Sequence, residues 1–227
     1  MPRMMNGTKN MKENMKENMK QNMKQNTKDK NYFTYGEQET NYLKSRDETL
    51  GQAIGKIGMI RREVRKDNFE ALNMSIVSQQ ISRKAADSIW NRLVDKFGVI
   101  SAESISNADL NDIQKCGMSL RKAGYIKGLA RAVMNGEIIF DELVPMSDDE
   151  IIAKLSSFPG IGVWTAEMFL IFSMCRMDVL SWGDLAIRRG MMNLYGLSDL
   201  TREQFEKYRI KYSPYGSVAS LYLWASS

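Results

Sequence analysis

The residues best suited to chemistry are an aspartate and the tryptophan two positions before it. Asp184 follows Trp182 and Gly183 and lies twenty-four positions beyond Gly160, which belongs to a glycine-rich turn. Aspartate is among the commonest residues at the N-terminus of a helix, so Asp184 can cap a helix that begins at Leu185. Because a helix N-terminus favours an anion, a capping carboxylate and a catalytic one are compatible. The sequence leaves both roles open.

Residues 158–162 read Phe-Pro-Gly-Ile-Gly and separate two apolar segments. A Ser-x-x-Glu capping box at 147–150 predicts a helix before the turn, and 163–174 reads as a second, very apolar helix. In such a helix–hairpin–helix, Gly160 and Gly162 let a ligand approach the backbone because they carry no Cβ atom. Unpaired N–H groups at the start of the second helix form a seat for a phosphate. The turn alone is also typical of a plain connector, but a phosphate seat together with the aspartate predicts chemistry on a nucleic acid.

Residue types that are absent or rare narrow the chemistry further. The chain contains no histidine, which excludes imidazole acid–base catalysis and every zinc site that needs a histidine ligand. Cys116 and Cys175 are too few for a disulfide framework or for the four ligands of an iron–sulfur cluster, and they indicate a reducing cytosol. We expect both to lie near the core as small apolar residues. Carboxylates remain as the catalytic groups, and no metal site is predicted.

The elements that position these residues are predicted to be helices almost throughout from Ser45 onward. Apolar residues recur at spacings of three and four, and the only β-like run is 138–140. The pattern predicts an all-α protein with nine or ten helices. Besides those already named, helices are expected over 107–116 and 119–135. A capping box at 45–48 predicts a helix that extends as far as Val64. Further helices are expected to start at Asn68, at Ser82, at a Thr-x-x-Gln box at 201–204, and at Pro214.

Residues 1–30 form a low-complexity segment that repeats Asn-Met-Lys-Glu and Asn-Met-Lys-Gln units. Too few apolar groups are present to offset the entropy of ordering, so we expect a disordered tail before one domain over 31–227. The tail holds eight basic and three acidic residues, which account for the whole net charge of +5. The basic pI is therefore no evidence that the domain binds DNA. Because no apolar stretch typical of a secretory signal is present, a cytoplasmic location is expected, nucleoid-associated in a prokaryote.

Three separated motifs resemble the helix–hairpin–helix DNA glycosylase superfamily (HhH-GPD), and in particular its 3-methyladenine DNA glycosylase II branch. They are Ile-Val-Ser-Gln-Gln-Ile-Ser at 76–82, Leu-Ser-Ser-Phe-Pro-Gly-Ile-Gly-Val-Trp-Thr-Ala at 155–166 followed by Asp184, and Ser-Pro-Tyr-Gly-Ser at 213–217 with Leu-Tyr-Leu-Trp at 221–224. The resemblance covers residues 45–227. It implies two helical subdomains that flank a cleft with Asp184 at its mouth. One comprises 70–180 with the hairpin at 158–162, and the other 31–69 plus 185–227.

The resemblance implies hydrolysis of the N-glycosidic bond of alkylated purines, such as 3-methyladenine and 7-methylguanine, in double-stranded DNA. Asp184 would stabilise the positive charge that develops on the deoxyribose and orient or deprotonate water. Trp164 stands where bifunctional members carry a lysine that forms a Schiff base, which implies a monofunctional enzyme that leaves an abasic site. The resemblance also implies a monomer without a cofactor, although many hairpins of the family hold a monovalent cation through backbone carbonyls.

Flipping of the damaged base implies an aromatic pocket and a side chain that fills the gap in the stack. Trp164, Trp182 and Tyr215 are the candidate pocket residues, with Met168 as a softer wall. Large aromatic residues at helical spacing are equally typical of a core. Among the candidates for DNA contact, Gln80 matches the wedge position and Gln79 is its neighbour, although paired glutamines at a helix end are also ordinary polar surface. The further candidates are Gly160, Ile161, Gly162, Ser82, Arg83, Lys84, Ser119, Arg121, Lys122, Arg188 and Arg189.

Two alternative functions stay open. One is a related glycosylase that acts on uracil, a mismatched base or an oxidised purine. The other is a non-catalytic module that binds DNA through the hairpin at 160–162 only. The distance of Asp184 from the hairpin and the C-terminal motif favour an enzyme over the binding module.

Overall fold

The computed structural model describes residues 31–227, so the predicted tail over 1–30 lies outside the described residues. Within residues 31–227 the chain forms thirteen helices and no β-strand, which confirms the predicted all-α class. Among these helices none combines the length and the apolar character that a membrane span requires. The helices are α1 (Glu37–Arg46), α2 (Glu48–Ile57), α3 (Asn68–Ser78), α4 (Arg83–Phe97), α5 (Ala102–Asn107), α6 (Leu110–Gln114), α7 (Leu120–Met134), α8 (Phe140–Leu143), α9 (Asp148–Ser156), α10 (Val163–Phe172), α11 (Leu185–Tyr195), α12 (Arg202–Tyr212) and α13 (Gly216–Ala225).

Side-chain caps define where several of these helices begin. The predicted boxes at 147–150 and 201–204 are both formed and open α9 and α12. Ser82 caps α4 by accepting the N–H of Ala85, and Gly98 ends the same helix, as predicted. Such boundaries depend on residues within four positions of one another, and for this reason the sequence predicts them well.

The capping box predicted at 45–48 is wrong. Helix α1 occupies the first part of that segment, and Asp47 instead caps α2 by accepting the N–H of Leu50 at 2.8 Å. Helix α2 then ends before Gly58, which takes a φ of +75° that favours glycine. Val64 therefore lies outside this helix, although its spacing continues the apolar pattern.

Other predicted boundaries also move. The helix predicted over 107–116 is present but shorter, because the Asp109 carboxylate accepts the N–H of Asn111 at 2.8 Å and starts α6 after α5 has ended. The β-like run at 138–140 is no strand, and α8 begins at its last residue. The final helix begins two residues later than predicted, and α10 ends two residues earlier.

Residues 33–227 form one compact unit in which the helices pack in two groups. In the first group α10 packs on α3 and α9, α3 also packs on α4 and α7, and α5 and α6 pack on α7. In the second group α13 packs on α1, α2, α11 and α12. Residues 173–184 connect α10 to α11 and so lead from the first group to the second. The exact subdomain boundaries stay a prediction.

The connecting segment 173–184 is anchored on α13 by serine hydroxyls. Ser217 Oγ donates a hydrogen bond to the carbonyl oxygen of Arg176 at 2.6 Å and accepts the N–H of Val179 at 3.0 Å. Ser220 Oγ donates to the carbonyl oxygen of Val179 at 3.1 Å. These bonds hold the chain just before the turn that carries the candidate catalytic aspartate.

Candidate active site

The Asp184 carboxylate is held by four N–H donors. Its Oδ1 atom accepts the backbone N–H groups of Ala186 and Ile187, each at 2.9 Å, which confirms the predicted cap of α11. Its Oδ2 atom accepts the indole N–H of Trp164 at 2.9 Å, and the indole N–H of Trp224 approaches Oδ1 at 3.2 Å. The side chain is only 7% exposed. The carboxylate is therefore oriented by its surroundings and capped on the helix at the same time.

Trp224 is the site residue that the sequence did not single out. It lies at the end of α13, and its ring packs against Phe172 with 5.4 Å between ring centroids. The Arg62 guanidinium lies 4.8 Å from the Phe172 ring and 5.9 Å from the Trp224 ring. Burial, together with the nearby Arg83, lowers the pKa of Arg62. Trp224 ends the motif at 221–224, but only the fold shows that it faces an aspartate forty positions away.

The two hairpin glycines serve different purposes. Gly160 has a φ of +89°, and a Cβ atom there would lie 2.3 Å from the Tyr125 ring. The group that approaches Gly160 closely is therefore the Tyr125 side chain of the same protein and not a ligand. This corrects the predicted role of Gly160 in ligand approach. Gly162 is exposed, has open space around its missing Cβ, and begins α10 without a side-chain cap. Ile161 between them is buried in the core.

Gln79 and Lys122 form bonds within the chain. The Gln79 amide donates to the carbonyl oxygen of Gly160 at 2.8 Å and to Thr165 Oγ1 at 3.1 Å. The Lys122 ammonium donates to the carbonyl oxygens of Val77 at 2.9 Å and Gln79 at 2.6 Å, and burial lowers its pKa. Both side chains tie the end of α3 to its neighbours through these bonds, and their contact with DNA stays a prediction.

Gln80 and Ser82 are exposed beside the hairpin. Gln80 takes a φ of +58°, which directs the chain away from α3, and Ser82 uses its hydroxyl to cap α4. A groove of about 480 Å³ lies between this turn and the hairpin. The residues that line it are Gln79, Gln80, Arg121, Tyr125, Gly160, Ile161, Gly162, Trp164 and Thr165. The structure thus brings the predicted wedge, the predicted phosphate seat and Trp164 to one surface.

Trp182 and Arg188 pack on each other instead of lining this groove. The Arg188 guanidinium lies 4.7 Å from the Trp182 ring, and that of Arg202 lies 5.4 Å from it. Phe205 meets the same ring edge to face at 5.2 Å. These contacts argue against Trp182 as a wall for a base and against Arg188 as a phosphate contact.

Met168 and Tyr215 also have other neighbours. Met168 is 5% exposed and belongs to the core, so it lines no open pocket. Tyr215 meets Tyr42 edge to face at 5.2 Å, and its hydroxyl accepts the Gln38 amide at 3.3 Å. The structure therefore places Tyr215 against α1, and Trp164 is the predicted pocket residue that contacts the carboxylate.

Few groups here suit a metal. Among residues 31–227 no cluster of three or more histidine, cysteine, aspartate or glutamate side chains could hold an ion, and Cys116 and Cys175 are free thiols. In the hairpin, the carbonyl oxygen of Phe158 accepts the N–H of Ile161, and that of Gly160 accepts Gln79. The backbone cation that the resemblance implies stays a prediction.

Comparison with known proteins decides the family. Residues 74–214 match the model of the HhH-GPD superfamily base excision DNA repair proteins. The chain belongs to this superfamily. The family predicted from the three sequence motifs is thereby confirmed.

This HhH-GPD chain is similar to DNA-3-methyladenine glycosylase 1 of Schizosaccharomyces pombe, with 34% identity over 197 residues that cover 82% of this chain and 85% of the relative. It is also similar to DNA-3-methyladenine glycosylase 2 of Escherichia coli, with 24% identity over 80% of this chain and 67% of the relative. A solved structure of the S. pombe 3-methyladenine DNA glycosylase in complex with abasic DNA matches with a TM-score of 0.75 at 31% identity, over 82% of this chain and 95% of that chain. The predicted helix–hairpin–helix glycosylase fold is confirmed.

Proposed function

We propose that this protein is a monofunctional DNA glycosylase that removes alkylated purines, such as 3-methyladenine and 7-methylguanine, and leaves an abasic site. The observation that carries the proposal is the Asp184 carboxylate, which four N–H donors hold beside two indole rings. Membership of the HhH-GPD superfamily and similarity to 3-methyladenine glycosylases over most of both chains support the same reaction and substrate class.

In the proposed mechanism, the negative charge of Asp184 stabilises the transition state. When the bond to the base breaks, positive charge develops on the deoxyribose, as in an oxocarbenium ion. A carboxylate that is already oriented stabilises this charge without reorganisation during the reaction. Asp184 would therefore face C1′ and orient the attacking water. Trp164 cannot form a Schiff base, which supports hydrolysis without strand cleavage. Water is the nucleophile and an alkylated purine is a good leaving group, so the proposal requires no cofactor.

Trp164 and Trp224 are the proposed aromatic walls of the base pocket. Both indoles donate to Asp184, so a base stacked on either would keep its glycosidic bond near the carboxylate. A purine alkylated at N3 or N7 is cationic, and its attraction to an electron-rich ring is worth up to about 2 kcal/mol when desolvated. Met168 is left out of this pocket because it is buried in the core, and Trp182 because its ring packs on Arg188 and Arg202 and its indole does not donate to Asp184.

The groove beside the hairpin is the proposed DNA contact. Gly162 exposes the uncapped N-terminus of α10, where backbone N–H groups suit a phosphate. Gln80 is exposed on a turn held by Gln79 and Lys122, and this fixed position supports the wedge role. A DNA repair enzyme must also reach the chromosome, so we retain the cytoplasm, or the nucleoid of a prokaryote, as the proposed location.

Base release is the measurement that tests this function. The protein is incubated with methylated duplex DNA and, separately, with duplexes that contain a single uracil, mismatch or oxidised purine. We expect release of 3-methyladenine or 7-methylguanine and an abasic site without strand cleavage. Release from one of the other duplexes alone would contradict the substrate class, and binding without release from any duplex would contradict the enzymatic function.

A further inference from the structure

Glu167 lies one turn after Trp164 on α10 and has no role in the mechanism above. Its carboxylate accepts a hydrogen bond from the hydroxyl of Ser181, and Ser181 is completely buried. Residues three positions apart lie on the same face of a helix. The face of α10 that presents Trp164 to Asp184 therefore also presents Glu167 to the turn that carries Asp184.

The turn at 181–184 is packed directly on this face. The N–H of Asp184 points to the carbonyl oxygen of Ser181 at 3.4 Å. A Cβ atom on Gly183 would lie 3.4 Å from Trp164 Cβ and 3.7 Å from Ser181 Oγ, which shows how closely the turn approaches the helix. Trp164 thus holds the carboxylate at the end of the turn, while Glu167 holds the serine at its start.

The electrostatic surroundings of Glu167 agree with this placement. Burial raises the pKa of Glu167, the Ser181 hydroxyl and Arg202 lower it, and the negative charge of Asp184 raises it. Arg202 lies on α12, so charged groups from two other elements act on this one carboxyl. Asp184 is therefore close enough for its charge to act on the Glu167 carboxyl.

We propose that Glu167 is a positioning residue for the glycosylase reaction, which acts through Ser181 to hold Asp184 at the deoxyribose. The inference rests on the proposed function. It extends that function, because it proposes that the hydrogen bond between Glu167 of α10 and Ser181 at the start of the turn determines the position of the Asp184 carboxylate. A misplacement of a catalytic group by about 1 Å can cost up to about a hundredfold in rate.

Single-turnover base release from methylated DNA, measured together with affinity for abasic DNA, tests the proposal. Glu167→Ala removes the acceptor, Ser181→Ala removes the donor, and Glu167→Gln keeps an acceptor without the charge. Ser173→Ala is the matched control, because its hydroxyl donates to Arg65 and Asn68 at the other end of α10. Thermal unfolding of each variant reports whether the fold is retained.

We expect both alanine variants to release base about tenfold more slowly, with affinity for abasic DNA within about twofold of wild type. The double variant should be no slower than the slower single variant, because the two residues act through one bond. Glu167→Gln should retain at least about a third of the rate, and Ser173→Ala the full rate. If Glu167→Ala does not fold, the rates of Glu167→Gln and Ser181→Ala test the proposal, and Ser181→Ala should be the slower of the two.

Three results would overturn the proposal. Wild-type rates in Glu167→Ala or Ser181→Ala would show that the bond has no positioning role. Additive losses in the double variant would show that the two residues act separately. Absence of base release by the wild-type protein would overturn the proposed function itself, and this inference with it.

Discussion

At the scale of single residues, the Asp184 carboxylate has a structural task, and we propose a chemical task for the same group. One oxygen caps α11 through two backbone N–H groups, and the other accepts the indole N–H of Trp164. A hydrogen bond to a charged group contributes about 1.5–3 kcal/mol, so these donors define the orientation of the carboxylate more strongly than neutral contacts would. The same bonds place aromatic surface next to the negative charge.

Replacement of each indole by phenylalanine tests this arrangement. Trp164→Phe removes a donor at 2.9 Å, and we expect base release to slow by about tenfold, with a smaller loss for Trp224→Phe, whose bond is 3.2 Å long. Trp90→Phe is the control, because Trp90 is buried and packs against Arg65. Single-turnover base release measures the effect. Equal rates in all three variants would contradict the role of the indole donors.

At the scale of elements, the hairpin is held by packing on one side and open on the other. Gly160 faces the Tyr125 ring, and the Gln79 amide donates a hydrogen bond to the carbonyl oxygen of Gly160. Gly162 faces open space at the start of α10. The first glycine therefore contributes to stability, and the second is the one proposed to contact DNA.

Alanine at each glycine separates these two properties. Gly160→Ala should lower the free energy of unfolding by at least about 1–3 kcal/mol, because φ is +89° and the new methyl group would meet Tyr125. Gly162→Ala should leave the unfolding temperature nearly unchanged and weaken binding to abasic DNA. Thermal unfolding and DNA-binding titrations measure the two effects. The account of the hairpin would be contradicted if Gly162→Ala were the more destabilised variant.

The boundaries of elements were predictable where a cap or a glycine stop decides them locally. The boxes that open α9 and α12 are examples. At 45–48 both Ser45 and Asp47 could cap a helix, but Ser45 lies within α1 and Asp47 caps α2. The Asp47 carboxylate also pairs with Lys211 of α12. That partner lies far along the chain, so no local pattern could reveal the outcome. Trp224 was missed for the same reason, since its contact with Asp184 depends on how α13 packs.

At the scale of the whole molecule, the C-terminal helices complete the site and join the N-terminal ones. Helix α13 carries Trp224 and packs on α1, α2, α11 and α12. On the same side of the fold, Asp47 at the start of α2 forms an ion pair with Lys211 of α12, with 2.7 Å between Oδ2 and Nζ. Asp47 is 2% exposed, so this charge is removed from water and depends on its partners.

The Asp47 pair predicts how stability depends on pH. Burial acts to raise the pKa of Asp47, but the N–H of Leu50 and the Lys211 ammonium outweigh it, and the net pKa is lowered. Because the folded pKa lies below the unfolded value, the stabilisation is present at neutral pH and is lost as the pH falls below about 4. The unfolding free energy of wild type should therefore exceed that of Asp47→Asn most at neutral pH. Chemical denaturation at several pH values measures the difference.

The control for this prediction is Glu203→Gln on the same helix as Lys211. Glu203 pairs with Lys207 at the surface, where both side chains are largely exposed, so little change in stability is expected at any pH. A difference between wild type and Asp47→Asn that stays constant from neutral pH to pH below about 4 would contradict the assigned role of the charge.

The central claim is that the Asp184 carboxylate performs the chemistry, and Asp184→Asn tests it most directly. Asparagine keeps an oxygen that can cap α11 but carries no charge. We therefore predict a folded protein that binds abasic DNA normally and releases 3-methyladenine or 7-methylguanine at least about a hundredfold more slowly than wild type. Normal DNA binding together with an unchanged rate of base release would contradict the account.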